Sequence, residues 1–171
     1  MPVEHAVRTL SDFIKIVSRI QNKWTEEDGK YIYPWFRGQA DSTKPLLPGL
    51  YRKGRLSTYE YNFREDFVHK ALPFLSDTTF VHPSSDWDWY FLMQHYGVPT
   101  RLIDWSEGSL IALYFALFYK RDDDDTNPCV WMMNPFGFNS AMCKDPAIRS
   151  YSYASLKPYM DGINKSELMP Q

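Results

Sequence analysis

Gln94-His95-Tyr96-Gly97-Val98-Pro99-Thr100-Arg101-Leu102-Ile103-Asp104-Trp105 sets an imidazole, a guanidinium, a carboxylate, an amide and two polar aromatics around one Gly and one Pro. Buried polar groups need partners, so this dense a mixture implies either an internal hydrogen-bond network or a ligand site. The same stretch punctuates the local fold. Gly97 followed by Pro99 stops a helix. Alternation from Thr100 to Asp104 predicts a short strand, with Arg101 and Ile103 on one face and Leu102 and Asp104 on the other. Ser106 is then placed to cap a following helix.

Upstream, Asp86 is a plausible cap for a helix carrying Trp87, Tyr90, Phe91 and Gln94. Downstream, Leu110, Leu113, Tyr114, Leu117 and Phe118 line one side of a helix that ends near Tyr119. Leu10, Phe13, Ile14, Val17, Ile20 and Trp24 recur at helical spacing behind Thr9 or Ser11, which predicts a helix over Ser11 to Trp24 and an exposed turn at Glu26 to Gly29. Tyr31 to Arg37 is aromatic and β-branched and reads as a strand, with Pro34 requiring an edge position or a late start. Residues 40–56 are rich in Pro and Gly and read as an irregular connection. A helix after Ser57 presents Tyr59, Phe63, Phe67, Ala71 and Phe74, and Pro73 bends or ends it. Arg121 to Thr126 is a charged loop and Cys129 to Met133 a short buried strand. After Asn134 no steady period survives. The expectation is an α+β fold: a single domain with a small, mainly antiparallel sheet and about four helices. Residues 1–135 form its core, and 136–171 an irregular C-terminal tail.

The 171-residue chain suffices for one well-packed domain. Its 44% hydrophobic and 23% charged residues are those of a soluble globular protein. Aromatics make up 17%, which predicts a stiff core whose Tyr and Trp edges find partners. A net charge of −2 without a basic stripe disfavours duplex nucleic acid as a partner. Cys129 and Cys143 have neither metal-ligand nor disulfide-framework spacing, which suits a reducing, cytoplasmic setting. Met1-Pro2-Val3-Glu4-His5 does not begin a signal peptide. The longest apolar run, Leu110 to Phe118, is too short for a bilayer, so no membrane association is expected.

Trp35-Phe36-Arg37-Gly38-Gln39 ends a strand with a guanidinium where backbone can approach closely, a geometry suited to a phosphate or carboxylate. The alternative is an internal pair, Arg37 or Arg101 with Asp104. Thr100, Ser106 and the first amides of the next helix could bind an anion. His95 has no second His or Cys at ligand spacing, so no metal site is expected. A Ser106-His95-Asp104 triad lacks a nucleophile elbow. Asp122 to Asp125 lacks the spaced ligands and central Gly of a calcium loop and reads as a solvated loop.

Phe36-Arg37-Gly38-Gln39, the block from Trp89 to Trp105, and Ala112-Leu113-Tyr114-Phe115-Ala116 together closely resemble the FRG domain family. That family carries an aromatic-Arg-Gly motif, a His-Tyr-Gly-x-Pro-Thr-Arg-Leu-x-Asp-Trp block and an Ala-Leu-x-Phe-Ala segment. The resemblance runs from about Leu10 to Pro135, and it implies a bacterial or phage-related source. The family's C-terminal Gln-x-Gly-x-Phe-like strand has no counterpart after Asn134, so the resemblance implies a truncated continuation there. More distantly, the order of motifs is similar to the layout of Arg-Ser-Glu-type ADP-ribosyltransferases. That likeness implies Arg37 on an NAD pyrophosphate, with Thr100 and Arg101 where that fold places its Ser-Thr-Ser strand. The catalytic Glu it requires has no clear counterpart: Glu167 lies in the unpatterned tail, and Glu107 sits where a helix dipole accounts for it.

Two functions stay open. One is a nucleotide- or NAD-type cleft, ADP-ribosyltransferase-like, at Arg37, Gly38, Gln39, His95, Tyr96, Thr100, Arg101 and Asp104. The other is a non-catalytic binding or scaffold module, with a protein partner, whose polar motif is an internal network.

Overall fold

The computed structural model describes residues 3–54, 58–74, 83, 85–119 and 126–143. Among them are five α-helices and one two-stranded antiparallel sheet, so the fold is α+β with one helix more than expected. The order is α1 (Leu10–Asp28), β1 (Trp35–Gln39), α2 (Thr58–Ala71), α3 (Asp86–His95), α4 (Ser109–Phe118), β2 (Cys129–Met133) and α5 (Pro135–Cys143). Two short 3-10 turns lie at Arg52–Gly54 and Leu72–Phe74. The described residues divide into two compact units, one built from 3–44 and 104–143 and the other from 45–103.

In the first unit, Thr9 caps α1 by accepting from the Asp12 amide, as read from sequence. The helix then runs through Glu26 and Glu27 to Gly29, whose φ of 65° is the left-handed geometry that ends it. The expected turn at Glu26 is therefore the last turn of α1. Gln21 donates to the Ile32 carbonyl and Thr25 accepts from the Ile32 amide. These bonds hold Ile32 against the helix at 2% exposure. β1 starts directly after Pro34, the late start that proline imposes. It pairs with β2 from Trp35↔Met133 to Gln39↔Cys129. On its other edge Phe36 exchanges both backbone bonds with Ser106.

That bridge corrects two expectations. The segment 101–105 forms no strand, because its sheet contact is limited to Ser106. Ser106 does not cap α4 either; its hydroxyl accepts from the Gly108 amide, and α4 starts behind Gly108. Glu107 accordingly precedes the helix. The inward residues of α4 are Ala112 and Ala116, whereas Leu110, Tyr114, Leu117 and Phe118 are more than half exposed. A second departure follows β2. Asn134 accepts from the Phe136 and Gly137 amides and caps α5, so residues 135–143 are helical rather than irregular. Asn followed by Pro is a helix-start signal. The run Asp122–Asp125 and residues 144–171 lie outside the described residues.

In the second unit, Leu50 and Met93 are fully buried. α2 begins as expected, but its one buried residue is Glu60, while Tyr59 and Phe74 are well exposed. The cap of α3 is Ser85, not Asp86: Ser85 accepts from the Asp88 amide while Asp88 accepts from the Ser85 amide. Arg64 on α2 reaches Asp86 at 2.5 Å and ties the two helices. Gly97, at φ 74°, turns the chain away from α3 as predicted.

Candidate polar site

β1 positions three of the expected residues. Arg37 is half-buried and donates through Nη1 to the backbone carbonyl of Asp104 at 2.6 Å. The expected Arg37–Asp104 partnership thus includes the main chain, and the Asp104 residue is exposed. Gln39 donates to the carbonyls of Asp41 (2.6 Å) and Lys44 (2.7 Å), which folds the following loop. Thr43 donates to the Asp41 carboxylate through its hydroxyl and its amide, and these bonds hold that carboxyl below its ordinary pKa.

Gly38 faces α4. A Cβ on it would stand 1.9 Å from the Ala112 carbonyl oxygen and 2.6 Å from the Ala116 nitrogen. What approaches this glycine closely is helix backbone, and the Ala-x-x-x-Ala spacing of α4 supplies the matching small surface. Cys129, opposite Gln39, is a free thiol whose pKa is raised by burial and then by the charges of Asp41 and Glu4.

The second unit holds the rest. Glu60 is 1% exposed and lies in the first turn of α2. Its carboxylate accepts from the Arg101 backbone amide at 2.9 Å and from Arg101 Nε at 2.5 Å, and it also pairs with Nη2. Burial alone would lower the Arg101 pKa, but the Glu60 hydrogen bond and charge outweigh it and raise it. Arg101 thus has an acid partner 41 residues upstream that the sequence did not suggest.

Thr100 is fully buried. Its hydroxyl donates to Gln94 Oε1 and accepts from the Leu102 amide, and its carbonyl accepts from Leu50. His95 and Tyr96 are exposed at the end of α3, their rings edge to face at 5.4 Å. Tyr96 also meets Phe67 at 6.0 Å.

The residue that sequence reasoning missed is Glu60. Its signal was present: positions 60, 63 and 67 fall on one helical face, so an acid there shares the side of Phe63 and Phe67 and needs a cation. Among the described residues, no group of three or more His, Cys, Asp or Glu side chains is gathered as a metal site would require. No described helix is long and apolar enough to cross a membrane.

Tyr90 reports on this network. Burial, and then the Glu60 charge, raise its pKa above the ordinary 10.0, with Asp86 adding and Arg101 and Arg64 opposing. The folded state therefore holds the phenolic proton more tightly than the unfolded chain. This contribution is intact below about pH 10 and is lost as pH rises through the folded pKa. Tyr90→Phe is expected to flatten the alkaline fall in stability, measured as urea midpoint against pH. An unchanged slope would contradict the assignment.

No curated protein and no solved structure gives a significant match to this chain. The family model of the FRG domain matches residues 33–125, which begins just before β1 and takes in both motif blocks, the Glu60–Arg101 network and α4. With more than half of its length matched, and with Arg37-Gly38 and the Gln94–Trp105 block inside the matched span, the chain belongs to the FRG domain family.

Proposed function

We propose that this FRG domain is a non-catalytic binding module whose polar motif is an internal hydrogen-bond network. The observation that carries the reading is the carboxylate of Glu60, 1% exposed and holding Arg101 by main chain and side chain together. Two guanidinium contacts to one buried acid neutralise that charge, and the main-chain bond beside them fixes its direction, which suits a structural tie better than an anion receptor. Thr100, fully buried and bonded to Gln94, and Gly38, closed by α4, point the same way. As a set these residues fit a dinucleotide pyrophosphate poorly. The free thiol of Cys129 suits a cytoplasmic setting.

A nucleotide- or NAD-type site at Arg37, ADP-ribosyltransferase-like, draws on one different observation. Trp131 stands in register with Arg37, and its indole N–H is buried with no hydrogen-bond partner among the described residues. A ligand oxygen would satisfy such a donor. Thermal melts of the whole chain with NAD, ADP-ribose and ATP separate the two readings. The network reading expects no shift with any of them. A shift of several degrees that is lost in Arg37→Ala overturns it in favour of the nucleotide site.

A further inference from the structure

α4 is built inside out. Its inward side carries Ala112 and Ala116, each 1% exposed against β1, while its outward side carries the large apolar groups. At 100° per residue, Leu110, Tyr114, Leu117 and Phe118 cluster on the side opposite the two alanines, with Ile111 beside them. These five side chains are between 52% and 61% exposed. An ordinary surface helix shows the reverse, large residues inward and polar ones outward. Ser109–Phe118 contains no charged residue and only Ser109 and Tyr114 as polar ones.

The rings are already ordered. Tyr114 and Phe118 stack at 5.1 Å and 24°, and Phe115 and Tyr119 at 6.1 Å and 10°. Both pairs are spaced by four residues, so they form the i, i+4 ridges that interdigitate when helices pack.

We infer that this outward face of α4 is the contact by which two copies of the chain associate across a twofold axis. Area and charge select a second copy as the occupant. Phe and Tyr bury roughly 150–250 Å² each and Leu and Ile somewhat less, so these five, a little over half exposed, offer on the order of 500 Å². That is in the upper part of the range for a patch left bare on a monomer and more than half of the roughly 800 Å² per partner of a standard interface. A surface without charge has no electrostatic preference for a foreign partner, and it meets no like-charge repulsion from its own copy. A twofold axis perpendicular to α4 sets the two copies antiparallel, and there the two helix dipoles oppose favourably. The inference is independent of the network reading, since none of these residues belongs to the polar site.

The test is sedimentation of the whole chain over a micromolar to near-millimolar range, with melts recorded at each concentration. The mass is expected to rise from one chain to two, and the melting temperature to climb with concentration, because association stabilises only the folded form. Phe118→Glu places a charge on each side of the axis and is expected to weaken association by about a hundredfold, while the dilute, monomeric melt stays within a few degrees of the parent. A one-chain mass at every concentration overturns the inference. So does a dimer indifferent to both Phe118→Glu and Leu117→Glu, which places the contact elsewhere. If these variants fail to fold even when dilute, the face is covered within one chain, and the inference fails. The concentration dependence of the parent's melt needs no variant and decides independently.

Discussion

Gly38→Ala is expected to destabilise the first unit by about 3 kcal/mol or more, since of the described glycines it is the one most closely approached. The added Cβ would meet the Ala112 carbonyl oxygen at 1.9 Å and the Ala116 nitrogen at 2.6 Å, both backbone atoms of α4. No rotamer change relieves a clash with backbone, so the helix must move off β1 and uncover Phe36, which is 3% exposed. Thermal and urea melts measure the loss. Gly29→Ala is the control: its Cβ would meet nothing within 4 Å, and only its φ of +65° makes it strained. It should cost about 1–2 kcal/mol. Equal losses at the two positions would show that backbone freedom, not the approach of α4, explains Gly38.

The second large effect is expected at Glu60. Glu60→Gln keeps the shape but removes the charge facing Arg101, whose side chain is 22% exposed. Breaking a buried pair from one side typically costs about 3–5 kcal/mol, and the partial exposure of Arg101 places this case near the lower figure. The consequence should be a fall in melting temperature of roughly 10 °C. Arg101→Met alone leaves the carboxylate uncompensated and should cost a similar amount. The double variant Glu60→Met, Arg101→Met should recover much of the loss, because replacing a buried ion pair with apolar groups of like volume is often neutral. A double variant as unstable as the sum of the two singles would mean that the residues act separately, and the network would lose its centre.

The contrast between these residues explains what was legible beforehand. Helix α1, the start of β1 behind Pro34, the end of α3 before Gly97 and the bounds of β2 were readable because capping, ring closure and left-handed φ act within a few residues of their cause. The family motifs were readable for a related reason: their order along the chain is itself the signal. The cap of α5 at Asn134 was equally local, and was passed over only because the residues after it alternate without a period.

Partnership and facing were a different matter. The buried carboxylate that holds Arg101 is Glu60, because burial rewards the acid that packing brings into the same dry place, and that acid is remote in sequence. α4 is apolar around most of its circumference, so its periodicity names no inward side. The choice fell to side-chain size, since β1 at Gly38 comes so near that only Ala112 and Ala116 fit beneath it. Local chemistry thus drew the elements and their ends, while the identity of each buried contact waited on which surfaces the folded chain pressed together.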